Sequence, residues 1–161
     1  MKKDCGLLIF GTRKNMNEWI PLFSKYFEFK NILIWDKMNH SAGDLKGNFG
    51  DQYEVILFFT RGDFQLRGYR HSNIFSYPRI SYSKLNHPSE KPIALIKELL
   101  ISVKPDNVLD LFSGSGVVPR ACESLKIPYI AYEIDMKYKT IINENIKLGK
   151  EESKNKYKKL I

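Results

Sequence analysis

The sequence predicts an α/β domain built on a largely parallel sheet. Five short runs rich in Ile, Leu, Val and Phe recur along the 161 residues, and each is bounded by polar or turn residues. Strands that are buried on both faces of a parallel sheet have this composition. Between several runs the apolar spacing changes to that of an amphipathic helix, and such alternation is typical of layered α/β domains. The predicted strands are 7–10, 31–35, 54–60, 107–112 and 129–134.

A first helix is predicted over residues 17–27, between the first two strands. Trp19, Phe23 and Tyr26 lie at helical spacing there and are expected to face the core. The second and third strands follow. Residues 38–51 between them are polar and bear glycines, so they predict a loop.

Residues 61–85 lack a regular period and combine basic with aromatic side chains. Cations contact phosphates and exposed rings stack on bases, so this composition suits a nucleic-acid partner. An ordinary surface excursion with packing aromatics fits it equally well. The DNA-contact candidates are Arg61, Arg67, Arg70, Arg79 and Lys84.

Two more helices are predicted, one before the fourth strand and one after the fifth. Both carry apolar residues at helical spacing. Residues 147–161 are rich in lysine and are expected to form a solvated helix end and a frayed tail, with contact to a DNA backbone as the alternative. Residues 1–146 are then the folded domain. The apolar positions are Ile96, Leu99, Leu100 and Val103 in the first helix, and Tyr138, Ile141, Ile142 and Ile146 in the second.

Composition excludes several classes of protein. Cys5 and Cys122 lie far apart in the sequence, which disfavours a disulfide scaffold or a thiolate zinc site. No run approaches the roughly 20 apolar residues of a membrane span, and the first apolar run is too short for a secretory signal. We therefore expect a cytoplasmic protein without a membrane partner. The net charge of +8 permits a nucleic-acid partner without requiring one.

The most informative segment covers residues 107–119, where a buried strand leads through Gly114-x-Gly116 into a helix with Pro119 in its first turn. Such a turn lets the backbone approach a ligand and directs free N–H groups at it. Glu133 follows nineteen residues after Gly114, close to the roughly 20-residue interval at which an acid reaches a ribose diol. The pattern fits a nucleoside-containing cofactor or a plain tight turn. Pro119 replaces the third glycine of the dinucleotide fingerprint, which disfavours NAD and FAD.

The order of the motifs resembles the S-adenosylmethionine-dependent DNA amino-methyltransferases, which modify adenine N6 or cytosine N4, in the permuted arrangement with the cofactor half last. In that family a His-Pro-x-x-Lys-Pro element precedes the motif Asp-Pro-Phe-x-Gly-Ser-Gly-Thr-Thr. Here residues 87–92 read His-Pro-Ser-Glu-Lys-Pro, while Leu111 replaces the usual Pro and Val117-Val118 replace the Thr pair. The resemblance extends from Gly6 to Tyr138.

The resemblance implies a Rossmann-like methyltransferase fold with S-adenosylmethionine as cofactor. Glu133 would hold the ribose hydroxyls, Phe112 would lie against the cofactor, and Lys91 is the candidate for its carboxylate. Residues 61–85 would be the target-recognition segment that contacts DNA. The implied cofactor-binding residues are Lys91, Asp110, Phe112, Gly114, Ser115, Gly116 and Glu133.

The family's catalytic tetrapeptide, Asp-Pro-Pro-Tyr or a close variant, does not occur in the sequence. We therefore assign no catalytic residue. Residues 76–79 read Ser-Tyr-Pro-Arg, which lacks the second Pro and stands in the wrong place in the motif order. In the family the tetrapeptide ends a central strand, so an incomplete sheet is expected here. Three explanations stay open: a second polypeptide supplies the segment, the chain is a decayed relic, or it has become a non-catalytic binding protein.

The leading hypothesis is methylation of an exocyclic amino group of adenine or cytosine in DNA, of the kind found in restriction-modification. The chain would be that enzyme or its cofactor-binding part. The alternative is a non-catalytic DNA-binding or regulatory module derived from a methyltransferase. A third hypothesis is an RNA or small-molecule methyltransferase that shares only the cofactor half. The residues do not specify the base or the recognised sequence.

Overall fold

The computed structural model of the chain describes residues 3–40, 46–81, 83, 85 and 87–158. They form two compact units, Met1–Leu66 with Arg70–Arg79 and Arg67–Tyr69 with Ile80–Ile161. All five predicted strands are present, together with an additional one inside the segment 61–85. The elements are β1 (Cys5–Gly11), α1 (Met16–Phe23), β2 (Glu28–Asp36), β3 (Tyr53–Arg61), β4 (Ile74–Ser76), α2 (Ile93–Val103), β5 (Val108–Asp110), α3 (Val117–Leu125), β6 (Tyr129–Ala131) and α4 (Lys139–Lys158).

The first unit contains a four-stranded sheet in the order β1-β3-β2-β4. β3 pairs antiparallel with both β1 and β2, whereas β4 pairs parallel with β2. The α/β class is confirmed, but the expected largely parallel pairing is corrected for this sheet. Neighbouring parallel strands need a crossover connection, and the described residues between β2 and β3, 37–40 and 46–52, form no helix. β2 and β3 therefore pair antiparallel.

Helix α1 covers one face of this sheet. The buried side chains Val55, Leu57 and Phe59 of β3 form the core, and Trp19 and Phe23 pack against it as predicted. The prediction that Tyr26 faces inward is wrong, since its side chain is 69% exposed. α1 ends at Phe23, so Tyr26 no longer follows the helical period.

The second unit combines a parallel pair, β5 and β6, with three helices. α3 packs against both α2 and α4. In α2 the predicted core residues Ile96, Leu99 and Leu100 are buried. Leu109 of β5 lies opposite Ile130 of β6, and both side chains are more than half exposed. The described part of this small sheet therefore has one covered face and one open face.

The last helix, α4, is longer than the sequence predicts. Residues 147–158, the described part of the expected tail, continue the helix, and Gly149 and Ser153 are buried. The buried positions show that one side of this lysine-rich stretch packs against protein. No helix among the described residues has the length and apolar character needed to cross a membrane.

Candidate functional site

The site begins with the turn between β5 and α3. Gly114 and Gly116 have φ angles of +54° and +83°, a region in which side chains other than glycine are strained. The amide of Gly116 donates to the carbonyl of Ser113 at 2.8 Å, and Gly116 is the N-cap residue of α3. Pro119 lies in the first turn of that helix. The predicted strand, glycine turn and helix are therefore confirmed.

Glu133 lies directly beside this turn. Because β5 and β6 are parallel neighbours, the residues that follow each strand meet at the same edge of the sheet. The amide of Gly114 donates to Oε2 of Glu133 at 2.6 Å, and the amide of Asp135 donates to Oε1 at 3.0 Å. Hydrogen bonds from the amides of Asp135 and Gly114 hold the pKa of this carboxyl below its usual range. Glu133 is therefore ionised at neutral pH.

Three buried polar atoms at the end of β5 and in the turn have no hydrogen-bond partner within standard geometry among the described residues: Oδ2 of Asp110, Oγ of Ser113 and Oγ of Ser115. Burial raises the pKa of the Asp110 carboxyl, against the effect of the Phe112 amide, which donates to its other oxygen, and of the neighbouring Ser113 hydroxyl. Buried polar atoms in folded proteins nearly always have partners. The cluster therefore makes this turn the candidate binding site.

The His-Pro element contributes His87 to this site. The imidazole ring lies 3.4 Å from the position that a Cβ atom on Gly114 would take, and it contacts the ring of Tyr138 with centroids 4.6 Å apart. Sequence reasoning did not select His87, although its place in the His-Pro-x-x-Lys-Pro pattern marked it. Nζ of Lys91 donates to the carbonyl of Ser89 at 3.0 Å.

Two large apolar side chains are exposed next to the turn. Phe112, a predicted site residue, is 90% exposed, and Ile134, which follows Glu133, is 98% exposed. Ile134 was not singled out from the sequence, because a strand-end isoleucine usually belongs to the core. Apolar groups this exposed beside a polar cluster are typical of a surface that binds a partner or ligand.

The basic segment is divided between the two units. Arg67 belongs to the second unit, where its Nη2 donates to Oδ1 of Asp106 and to the carbonyl of Lys104, both at 2.8 Å. Arg61, Arg70 and Arg79 belong to the first unit. Arg61 and Arg70 are exposed and Arg79 is half-buried, while Lys84 lies outside the described residues.

The tetrapeptide look-alike continues β4 alongside β2. The amide of Tyr77 donates to the carbonyl of Asp36 at 3.0 Å, and Nε1 of Trp35 donates to the carbonyl of Tyr77 at 2.8 Å. A backbone carbonyl of this stretch thus already accepts a hydrogen bond within the first unit. That this chain carries no catalytic residue stays a prediction.

Comparison with known proteins decides the family. Residues 1–144 match the N6/N4 methyltransferase family model, which is described as DNA methylase. The chain belongs to the N6/N4 DNA methylase family.

One curated relative is similar to this chain in sequence, and two solved structures are similar to it in fold. The DNA adenine methyltransferase YhdJ of Escherichia coli K12 is 26% identical over 174 residues, which cover 86% of this chain and 59% of that enzyme. The structure of the M1.HpyAVI–SAM complex superposes with a TM-score of 0.77 at 19% identity, covering 91% of this chain and 76% of that one. The cytosine-N4-specific PvuII DNA methyltransferase gives 0.70 at 15% identity, with 88% and 63% covered.

The structural likenesses confirm the predicted Rossmann-like methyltransferase fold. The chain spans less than two thirds of the length of YhdJ, 59%. The described residues form two small sheets, one of four strands and one of two, which agrees with the expected incomplete fold.

Proposed function

We propose that this chain binds S-adenosylmethionine in the turn between β5 and α3. The observation that carries the proposal is the cluster of three buried polar atoms, on Asp110, Ser113 and Ser115, at the end of β5 and in the turn that contains the two glycines of left-handed conformation. The chain's membership in the DNA methylase family supports the same cofactor.

The residues around the turn fit the chemistry of this cofactor. The cofactor carries an ammonium group and a carboxylate on its methionine part, together with hydroxyls on its ribose. An ammonium group would stabilise the charged form of the buried Asp110 carboxyl, whose pKa is raised by burial. The hydroxyls of Ser113 and Ser115 can donate to a carboxylate. Phe112 and Ile134 supply exposed apolar surface for the adenine ring.

Glu133 can hold the ribose without giving up its present contacts. Each of its oxygens accepts one backbone N–H, and a carboxylate oxygen has a second lone pair available. Its lowered pKa keeps both oxygens as acceptors for the two ribose hydroxyls. Lys91 would exchange its bond to the Ser89 carbonyl for the cofactor carboxylate.

We further propose that the chain is the cofactor-binding part of an enzyme that methylates an exocyclic amino group of adenine or cytosine in DNA. When bound, the cofactor would supply an electrophilic methyl group on a sulfonium sulfur. The chain's own contribution is to hold that group in place, because positioning accounts for much of such a transfer. A base flipped out of the duplex would present the amino nitrogen.

The groups that accept the amino hydrogens come from a segment outside these 161 residues, because the sequence contains no Asp-Pro-Pro-Tyr. That segment belongs to a second polypeptide in our proposal. In this proposal the basic segment contacts DNA through Arg61, Arg70, Arg79 and Lys84.

Photo-crosslinking tests the cofactor site directly. Ultraviolet irradiation with tritium-labelled S-adenosylmethionine should label a peptide that contains residues 110–134, and S-adenosylhomocysteine should compete. A label confined to other peptides would overturn the assignment.

Tritium should enter DNA only when a polypeptide bearing Asp-Pro-Pro-Tyr is added. Methylation of DNA by the isolated chain would contradict the proposed second polypeptide, and binding of DNA without any effect of cofactor would favour the non-catalytic module.

A further inference from the structure

One side of α4 carries small and polar residues where an ordinary amphipathic helix would carry apolar ones. Asn145, Gly149 and Ser153 recur at intervals of four and are all buried. A Cβ atom on Gly149 would lie 2.5 Å from the carbonyl oxygen of Arg120. The backbones of α3 and α4 therefore approach closely at Gly149, and the buried side of α4 faces α3.

Both the nitrogen and the oxygen of the Asn145 side-chain amide form hydrogen bonds in this interface. Nδ2 donates to the carbonyl of Ser115 at 2.8 Å, and Oδ1 accepts from Nη1 of Arg120 at 3.3 Å. Because the carbonyl can only accept and the guanidinium can only donate, these two partners fix the orientation of the amide. The side chain is only 5% exposed.

The carbonyl that Asn145 holds lies within the proposed cofactor turn. The peptide group between Ser115 and Gly116 is planar, so fixing its carbonyl also fixes the direction of the Gly116 N–H. That N–H closes the turn on the carbonyl of Ser113 at 2.8 Å. Asn145 thus holds the turn through its backbone and makes no hydrogen bond to the side-chain oxygens of Asp110, Ser113 and Ser115.

A network of charges ties α4 to its two neighbouring helices. Glu152 accepts from Nε of Arg120 at 2.9 Å and from Nη2 at 2.5 Å, and its other oxygen accepts from Nζ of Lys97 at 2.5 Å. The same Arg120 side chain contacts Asn145. One arginine therefore links the salt bridge to the amide that holds the turn.

We propose that Asn145 is a positioning residue that holds the Ser115–Gly116 peptide in the conformation that binds the cofactor. Arg120 donates to the Asn145 amide, whereas Glu152 contributes to the packing of α4 on its neighbouring helices through Arg120 and Lys97. The cofactor part of this inference rests on the proposed function, whereas the effect on the turn does not.

Two substitutions at position 145 and one matched control separate positioning from general stability. Asn145→Asp keeps an acceptor for Arg120 but removes the donor to Ser115. Asn145→Ser removes the amide without adding charge, and it serves as the readout if the aspartate variant does not fold. Glu152→Gln weakens the ion pairs of the same helix but leaves the Asn145 amide in place.

The readout is hydrogen exchange of the Gly116 amide in the unliganded full chain, combined with the global free energy of unfolding from urea titration. An amide hydrogen that exchanges faster than global unfolding allows reports local opening of the structure around it. In both Asn145 variants we expect the Gly116 amide to exchange at least about tenfold faster than global stability accounts for. In Glu152→Gln the exchange should change only in proportion to global stability. Equal behaviour of all three variants would overturn the inference.

Calorimetric titration with S-adenosylmethionine distinguishes this inference from the proposed function. If the unsubstituted chain binds, both Asn145 variants should bind about tenfold more weakly, and Glu152→Gln should bind as the unsubstituted chain does. Undiminished affinity in the Asn145 variants would overturn the positioning role while the proposed function stands. Failure of the unsubstituted chain to bind, together with accelerated Gly116 exchange in the variants, would overturn the proposed function and support Asn145 as the residue that holds the turn.

Discussion

The amide of Gly114 donates a hydrogen bond of 2.6 Å to Oε2 of Glu133, nineteen residues further along the chain. The bond joins the ends of two neighbouring parallel strands. The amide of Asp135 and, after it, this bond from Gly114 hold the pKa of the Glu133 carboxyl below its usual range. The spacing of a glycine turn and an acid in the sequence thus corresponds to direct contact in the structure.

Substitution of Gly116 by alanine should destabilise the chain more than the same change at Gly114. Both residues have positive φ, which costs alanine roughly 1–2 kcal/mol. A Cβ on Gly116 would in addition lie 3.0 Å from Cα of Ile142, whereas one on Gly114 would meet the His87 ring at an ordinary 3.4 Å. In urea unfolding, we expect Gly114→Ala to lower the free energy of unfolding by about 1 kcal/mol and Gly116→Ala to lower it by at least about 2 kcal/mol. Equal losses would contradict the close approach of α4 to the turn.

Asp110→Asn should make the unliganded chain more stable at pH 7 and weaken cofactor binding. The folded chain holds the Asp110 proton more tightly than the unfolded chain, because burial raises the pKa of this carboxyl. Stability therefore falls as pH rises from the ordinary value of 3.8 through the raised value. Asparagine lacks this dependence. Urea unfolding between pH 3.5 and 7 should show the advantage of the variant growing with pH, and a constant difference would refute the account.

Glu152→Gln should have the opposite pH dependence. Burial raises the pKa of Glu152, but the hydrogen bonds and charges of Lys97 and Arg120 outweigh burial and leave it below its ordinary value of 4.5. The wild-type carboxylate therefore contributes stability above that value, and the contribution is lost as pH falls through the lowered pKa. We expect the variant to lose about 1 kcal/mol at pH 7 and the difference to shrink below pH 4.5. A difference that persists in acid would show that the ion pairs are not its source.

Replacing Arg61 and Arg70 together by alanine should weaken DNA binding and reduce its salt dependence. If each arginine neutralises one phosphate, the slope of log affinity against log salt should fall by about 2. Fluorescence anisotropy with a DNA duplex between 50 and 200 mM salt measures this. Arg67→Ala is the comparison variant. The Arg67 guanidinium donates to the Asp106 carboxylate and to the Lys104 carbonyl, so its loss should reduce the free energy of unfolding. An unchanged slope in the double variant would remove these arginines from the DNA interface.

The sequence was most informative where local chemistry decides the structure. Gly114, Gly116 and Pro119 predicted the turn and the start of α3, because positive φ and a missing N–H restrict where these residues can stand. The period of α2 predicted its buried residues Ile96 and Leu99. In both cases the residues themselves carry the constraint.

The sequence was least informative where distant parts of the chain meet. Strand direction depends on which strands become neighbours, so the antiparallel pairing of β3 did not follow from its composition. The unpartnered oxygen of Asp110 and the bond from Asn145 to Ser115 depend on tertiary packing. The local signal for Asn145 was its position: it is a polar residue on the apolar side of α4, three positions after Ile142.

Calorimetric titration of the chain with S-adenosylmethionine tests the central claim most directly, with Asp110→Asn as a variant that should fold but bind weakly. We predict saturable binding of one molecule per chain, and an affinity at least about tenfold lower in the variant, because it lacks the charge that a cofactor ammonium would meet. No binding by a folded chain, or equal affinity in the two proteins, would contradict the assignment of the turn between β5 and α3 as the cofactor site.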